Sequence, residues 1–102
     1  MAISDVQLKG SWYAVFDANG KKVKDIAVSS VGELCGIGND FMVFLRGSWY
    51  STYDETGRKI KDAAVSSLGD FRNASGSTIN FKRGNWIGTY DKTFKKLSER
   101  AG

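Results

Sequence analysis

A repeat with a period of 37 residues constrains the fold of this chain more than any other feature. The chain of 102 residues contains GSWYAVFDANGKKVKD from residue 10 and GSWYSTYDETGRKIKD from residue 47. Residues 10–46 align with residues 47–83 without a gap, and 16 of the 37 positions are identical. A weaker third copy begins at Gly84. Repeats of about 20 to 50 residues are typical of arrays in which each unit buries its apolar face against a neighbour.

The repeat and the chain length together predict a single domain. A chain near 100 residues can bury enough apolar surface to fold without disulfides or metals. We therefore predict one β-repeat domain over residues 1–102, with units at approximately 10–46, 47–83 and 84–102. Residues 1–9 would form a leading strand.

Within each unit, side-chain chemistry alternates with a period of two, as in a β-strand. In the second copy Trp49 and Tyr53 share one face, whereas Tyr50 and Thr52 share the other. Aromatic or β-branched residues on both faces suit a strand that is covered on both sides. The preceding segment, Phe41–Arg46, is also rich in strand formers. Because the chain has no proline and no long amphipathic helix, we predict an all-β, antiparallel fold.

The turn of each hairpin carries its own signature. Asp54-Glu55-Thr56-Gly57 predicts a type I turn with a glycine bulge, and residues 17–20 repeat it. The third copy has Phe94 in place of the glycine, and Phe tolerates a positive φ poorly. We therefore expect the third hairpin to turn differently. Residues 92–102 remain open between a strand and a helical turn.

The polar connections Ser29–Gly32 and Ser66–Gly69 precede short apolar segments around Leu34 and Phe71. Each unit is therefore predicted to contain about four short antiparallel strands. An apolar strand that leads through GxW into xxYDxxGxK resembles the blade repeats of β-propellers and, more loosely, tryptophan-glycine repeats. This resemblance implies propeller-like blades of four strands.

Fewer than three full units cannot close a propeller of the usual four to eight blades, and open sheet edges invite further pairing. We expect association into a dimer or trimer, in which a neighbouring copy supplies the missing strand. The alternative is a monomer with internal pseudo-threefold symmetry, such as a trefoil or prism. A single GxW would also suit a lipocalin-like or avidin-like barrel, but three copies at one fixed spacing argue against that fold.

The composition removes most enzyme chemistry. The chain has no histidine, which excludes the usual general base and the commonest metal ligand. We predict no catalytic residue, metal or cofactor, although carboxylates such as Glu33, Asp40 or Asp54 would be the acid and base of an enzyme. The lone Cys35 is predicted to be a small, inert hydrophobe, and a single thiol fits a reducing compartment. We expect a cytoplasmic protein without a membrane partner, because the sequence shows no signal segment or long apolar run.

The aromatic residues recur at equivalent positions. We predict that Trp12, Trp49 and Trp86 form the core between units, since repeated aromatics most often do so. Tyr13 and Tyr50 lie on the opposite face, and the third copy has Ile87 at their position. These two tyrosines are therefore our candidates for exposed contact residues. The aspartates that open the turns are predicted to accept backbone hydrogen bonds and not to bind metal.

The cations also follow the repeat, with a net charge of +4. One cation precedes each repeated glycine, and others lie on the second strand of each hairpin; the candidate binding residues among them are Lys9, Arg46, Arg83, Lys22, Lys59 and Lys96. They would either keep the outer strands soluble or contact a partner. We predict a non-enzymatic binding or assembly module that presents repeated surfaces. A protein partner is the first hypothesis, nucleic acid the second and a glycan the third.

Overall fold

The computed structural model describes residues 3–102 and places most of them in β-strands. The strands are β1 (Ile3–Lys9), β2 (Trp12–Asp17), β3 (Lys22–Ala27), β4 (Glu33–Ile37), β5 (Phe41–Arg46), β6 (Trp49–Asp54), β7 (Lys59–Ala64), β8 (Asp70–Ser75), β9 (Thr78–Arg83), β10 (Trp86–Tyr90) and β11 (Lys96–Ala101). Two single-turn helices, α1 (Val28–Val31) and α2 (Val65–Leu68), connect them. Over residues 3–102, no helix is long and apolar enough to cross a membrane.

The strands form three antiparallel sheets, so the prediction of an all-β fold is confirmed. The first sheet has the order β1-β2-β3, the second β4-β5-β6-β7 and the third β8-β9-β10-β11. Each strand of the second sheet has its counterpart 37 residues later in the third sheet. Helices α1 and α2 carry the chain from one sheet to the next. A predicted unit such as residues 10–46 therefore begins inside one sheet and ends inside the following one.

The hairpin turn of the second sheet has the predicted geometry. The amide of Gly57 donates to the carbonyl oxygen of Asp54 over 3.0 Å, and the φ of Gly57 is 83°. The Asp54 carboxylate accepts bonds from the amides of Thr56 and Arg58 at 2.9 and 3.0 Å. The turn is thus closed by one side chain and one glycine.

The third hairpin uses the same turn, which contradicts our expectation that it would turn differently. The amide of Phe94 donates to the carbonyl oxygen of Asp91 over 3.0 Å, and the φ of Phe94 is 63°. A left-handed residue with a side chain costs roughly 1 to 2 kcal/mol. The Phe94 ring is partly buried and packs against an apolar cluster, 6.2 Å from the ring of Phe81, and this contact offsets the strain. Residues 92–102, for which the sequence allowed a strand or a helical turn, contain strand β11.

Two apolar clusters hold the three sheets in an open stack. The first cluster lies between the first and second sheets, and its buried members are Ile3, Tyr13, Val15, Ile26, Val31, Met42 and Phe44. The second cluster lies between the second and third sheets, and its buried members are Phe41, Val43, Tyr50, Leu68, Ile79, Phe81 and Tyr90. Neither cluster joins the first sheet to the third. The described residues therefore differ from a closed trefoil or prism, in which the outer units would also meet.

The two outermost faces of the stack are polar where the inner faces are apolar. Asp5 and Gln7 of the first sheet occupy the positions that Met42 and Phe44 occupy in the second sheet. Asp5 and Gln7 are exposed, whereas Met42 and Phe44 are fully buried. The outer face of the first sheet is thus polar along β1, whereas its neighbour β2 places Trp12 and Phe16 on the same face.

The third sheet ends the stack in the same way on the opposite side. Asn80 and Lys82 stand where the second sheet has Val43 and Leu45. The Asn80 amide donates to the side-chain oxygen of Asn73 over 2.8 Å, so the face is tied together by hydrogen bonds. Burying such a face against an apolar sheet would remove these polar groups from water at a cost.

Candidate functional site

The three repeated tryptophans are on the surface, which contradicts the prediction that they form the core. Trp12, Trp49 and Trp86 are 51%, 53% and 53% exposed. Each stands first in its strand, directly after the short turn that follows the preceding strand. A half-exposed indole repeated at three equivalent positions is a candidate contact surface.

The repeated tyrosines are buried, so their predicted role as exposed contact residues is also wrong. The Tyr50 hydroxyl donates to the carbonyl oxygen of Gly69 over 2.9 Å and accepts from the amide of Phe71 at 3.0 Å. Burial raises the pKa of the Tyr50 hydroxyl above its usual value. The ring lies 4.8 Å from that of Phe81, in the second cluster. Tyr50 is therefore a structural residue.

Tyr13 makes the same pair of contacts one unit earlier. Its hydroxyl donates to the carbonyl oxygen of Gly32 and accepts from the amide of Leu34, both at 3.0 Å. In each case the tyrosine fixes the connection that carries the chain to the next sheet. The third copy has Ile87 at this position, where its side chain is buried against Gly102 and makes no such bond.

A cation lies directly across the hairpin from each tryptophan. The Cα partners are Lys9 and Trp12, Arg46 and Trp49, and Arg83 and Trp86. On the following strand, a lysine pairs with a carboxylate at 3.2, 3.1 and 3.0 Å in Lys22–Asp25, Lys59–Asp62 and Lys96–Glu99. We call each set of one tryptophan, one opposing cation and one lysine–carboxylate pair a Trp surface.

The second Trp surface contains a shallow cavity of about 300 Å³ lined by Arg46, Trp49, Ser51, Lys59 and Asp62. The Ser51 hydroxyl donates to the Asp62 carboxylate over 2.5 Å. This bond, followed by the nearby Lys59 ammonium, lowers the pKa of the Asp62 carboxyl below its usual value. Asp62 is therefore ionised at neutral pH and already partnered by the protein.

Each Trp surface carries a net positive charge. Each carboxylate is balanced by its own lysine, which leaves the cation opposite the tryptophan uncompensated within the set. In the second surface the guanidinium of Arg46 also donates to the carbonyl oxygen of Ser30 over 3.4 Å, which positions it beside helix α1. Each surface thus offers an aromatic face and N–H donors to a partner.

The six predicted cations all belong to Trp surfaces, because the hairpin register places them there; they are Lys9, Arg46, Arg83, Lys22, Lys59 and Lys96. The tryptophans were predicted to be core residues, so the prediction did not indicate their place on the surface. The available signal was their position, immediately after the repeated glycine turn at the start of a strand.

The residues considered for catalysis lie apart from the Trp surfaces or are otherwise engaged. Asp54 closes a turn, and Asp40 pairs with Lys92 at 2.8 Å. Burial, together with the nearby Glu33 carboxylate, raises the pKa of the Cys35 thiol to about 11, so the thiol is protonated at neutral pH. Among residues 3–102, no group of three or more His, Cys, Asp or Glu residues could hold a metal ion.

Comparisons with known proteins do not assign the chain to a class. No protein-family model matches it, and neither a curated protein nor a solved structure matches it significantly. Function is therefore inferred from the geometry of the Trp surfaces.

Proposed function

We propose that this chain is a non-enzymatic binding module whose three Trp surfaces contact a protein partner. The observation that carries the proposal is the exposure of Trp12, Trp49 and Trp86 at equivalent positions, each beside a lysine or arginine. A blade-like, propeller-type arrangement of the sheets is part of this proposal, since it would display the surfaces periodically.

The chemistry of these surfaces favours a protein partner. Tryptophan and arginine are the residues most enriched among those that dominate binding energy at protein interfaces. Arg46 and Arg83 lie opposite two of the tryptophans, and the lysine–carboxylate pairs form a polar border around them. An apolar centre with a polar rim is the usual anatomy of such interfaces.

Repetition adds to affinity without new kinds of contact. The three sheets pack into one body through the two apolar clusters, so the Trp surfaces are held in fixed relative positions. A partner with repeated epitopes would engage the second and third surfaces intramolecularly, at a high effective concentration. A partner with one epitope would use each surface independently.

Single-stranded nucleic acid is the second candidate, and the uncompensated cations favour it. Indole rings stack on bases of any sequence, and Lys or Arg contact phosphates. A glycan is the third candidate, because an indole face also stacks on a sugar ring. The chain's net charge of +4 is compatible with all three partners.

Two expectations from the sequence remain predictions. Association into a dimer or trimer would complete the array, and a cytoplasmic location would suit the single cysteine. The polar outer faces, with Asp5 and Gln7 on one side and Asn80 and Lys82 on the other, disfavour stacking of whole faces. Copies would therefore meet at strand edges.

The experiment uses single substitutions at each Trp surface. The partner is isolated by affinity capture on the immobilised chain, identified by mass spectrometry and purified, and its affinity is measured by calorimetry. Trp12→Ala, Trp49→Ala and Trp86→Ala should each weaken binding by roughly tenfold or more. The matched control is Leu97→Ala, because Leu97 is also 53% exposed but lies outside the Trp surfaces. Unchanged affinity in all three tryptophan variants would refute the proposal.

Nucleic acid is tested directly with fluorescein-labelled oligo-dT and oligo-U. Protein recognition predicts weak binding to both oligonucleotides, with little quenching of tryptophan emission. Tight binding that quenches the tryptophans and falls steeply with added salt would replace the protein partner with nucleic acid. Neutral oligosaccharides provide the corresponding test for a glycan.

A further inference from the structure

Strand β1 has an open edge at a position that is filled in the other two sheets. In the second sheet β5 lies between β4 and β6, and in the third sheet β9 lies between β8 and β10. The equivalent strand β1 is paired along its length only with β2 among residues 3–102, although the amide of Ile3 at its start donates to the carbonyl oxygen of Asn39 over 2.6 Å. From Asp5 to Lys9 its outer side therefore presents backbone groups that can accept another strand.

The side chains along this edge are unusually accessible. Leu8 is 63% exposed, whereas its counterpart Leu45 is half-buried and packs against the second cluster. Gly32 lies against the backbone of Leu45, which shows that a connecting segment covers the counterpart in the second sheet. Asp5 and Gln7 are also exposed. The edge is thus open, and carries both apolar and charged side chains, at the position where the other sheets are covered.

We infer that the β1 edge binds the β1 strand of a second copy of this chain, antiparallel and about a twofold axis at Gln7. In this register Asp5 lies opposite Lys9 of the second copy, and Val6 lies opposite Leu8. By symmetry each of these pairs occurs twice. The second β1 takes the position that β4 and β8 take in the other sheets.

The register is self-complementary on both faces of the extended sheet. Directly opposed side chains share a face, so opposite charges meet on one face and apolar residues meet on the other. A shift by one residue would place Asp5 opposite Leu8 and Val6 opposite Gln7. Each face would then combine polar with apolar side chains. Because the side-chain period is two, such a slip moves every residue to the wrong face.

The other exposed edges are less suited to self-pairing. Outer strands β3, β7 and β11 each begin with or directly follow a run of cations, at Lys21–Lys22, Arg58–Lys59 and Lys95–Lys96. Lysine on an edge strand is a common device that prevents edge-to-edge pairing. Strand β1 has only Lys9 at its end, and Asp5 of the second copy lies opposite to it. The charge pattern therefore favours β1 over these three strands, and the two remaining edge strands, β4 and β8, contact each other.

This inference rests on the proposal that the chain associates, and a charge-swap series tests it. Sedimentation equilibrium should give twice the chain mass of 11.2 kDa. Asp5→Lys or Lys9→Asp alone should raise the dimer dissociation constant about tenfold, because each creates two like-charged pairs. The double variant Asp5→Lys/Lys9→Asp should restore the dimer. A monomer across the micromolar range, or a dimer indifferent to both single swaps, would overturn the inference.

The register is tested by cross-linking in a Cys35→Ala background. Gln7→Cys places the two thiols opposite each other, about 5 Å apart at Cβ and near the reach of a disulfide. Leu8→Cys is the matched control, since its two thiols would be offset by about 7 to 8 Å. Rapid dimer formation by Gln7→Cys alone supports the twofold pairing, and equal or reversed rates contradict it.

The proposed function and the β1 pairing can be refuted independently of each other. Substitutions at Asp5 or Gln7 test the mass of the assembly without altering a Trp surface, whereas Lys9→Asp also changes the first Trp surface; circular dichroism verifies that each variant is folded. Substitution of Trp49 and Trp86 tests capture of the partner without altering the β1 edge. A dimer whose tryptophan variants still capture the partner would refute the proposed function alone, whereas a monomer that loses the partner on tryptophan substitution would refute the β1 pairing alone.

Discussion

The hydroxyl of Tyr50 donates a hydrogen bond to the carbonyl oxygen of Gly69, 19 residues further along the chain. This bond ties strand β6 of the second sheet to the end of helix α2, where the chain passes to the third sheet. The same hydroxyl accepts from the amide of Phe71 in strand β8. One side chain therefore fixes both the exit from one sheet and the start of the next.

Tyr50→Phe should destabilise the fold by about 1 to 3 kcal/mol, because it leaves a part-buried carbonyl and amide without their partner. Tyr13→Phe should have a similar effect one unit earlier. Tyr53→Phe is the control, because the contact of its ring with Phe44 survives the loss of the hydroxyl. Urea unfolding measures all three variants. A Tyr50→Phe variant as stable as the control would show that these bonds contribute little.

Gly32→Ala should be far more destabilising than Gly47→Ala. Gly32 has φ 93° and ψ −147°, a region that only glycine occupies readily, and an added methyl group would collide with the backbone of Leu45. Gly47 has φ 61° and open space around it, so an added methyl group costs only about 1 to 2 kcal/mol of backbone strain. Thermal unfolding of the two variants makes the comparison. Equal losses would indicate that close packing at Gly32 is unimportant.

Acidification should affect the second Trp surface through Asp62. The folded-state pKa of this carboxyl lies below its unfolded value near 3.9, chiefly because Ser51 donates to it. A lowered pKa contributes stability that is present above about pH 4 and lost as the pH falls through the folded pKa. Ser51→Ala should raise the Asp62 pKa, and the first sheet already accepts Ala14 at this position. An NMR titration of the carboxyl carbon that shows no change in midpoint would contradict this account.

Much of the local structure could be predicted because it depends on neighbouring residues. The turn at Asp54 and Gly57 was predicted from two residue types whose backbone roles are local. Strand β5 was predicted with its observed bounds, because a run of strand formers ends at a glycine. The number of strands in a full unit followed from the spacing of such signals.

The assignment of buried and exposed aromatics could not be predicted in the same way. Periodicity places Trp49 and Tyr50 on opposite faces, but both faces of β6 are covered, so the pattern does not rank their burial. The partner of Tyr50 is 19 residues away, at Gly69, and no local signal reports it.

The prediction for the turn at Phe94 was wrong for a related reason. Local preference disfavours a positive φ at phenylalanine, whereas packing of its ring against the second cluster favours it. The tertiary contact compensates the backbone strain because the partly buried ring removes apolar surface from water.

The most direct test of the account is a triple variant, Trp12→Ala/Trp49→Ala/Trp86→Ala, examined for both folding and partner capture. Because all three indoles are half-exposed, we predict a folded chain with the β-sheet dichroism of the parent and a loss of stability of about 1 kcal/mol per substitution. The same variant should no longer capture the partner that the parent chain retains. An unfolded variant would show that the tryptophans are needed for the stability of the fold, as core residues are. A folded variant that still captures the partner would contradict their role as the contact surface.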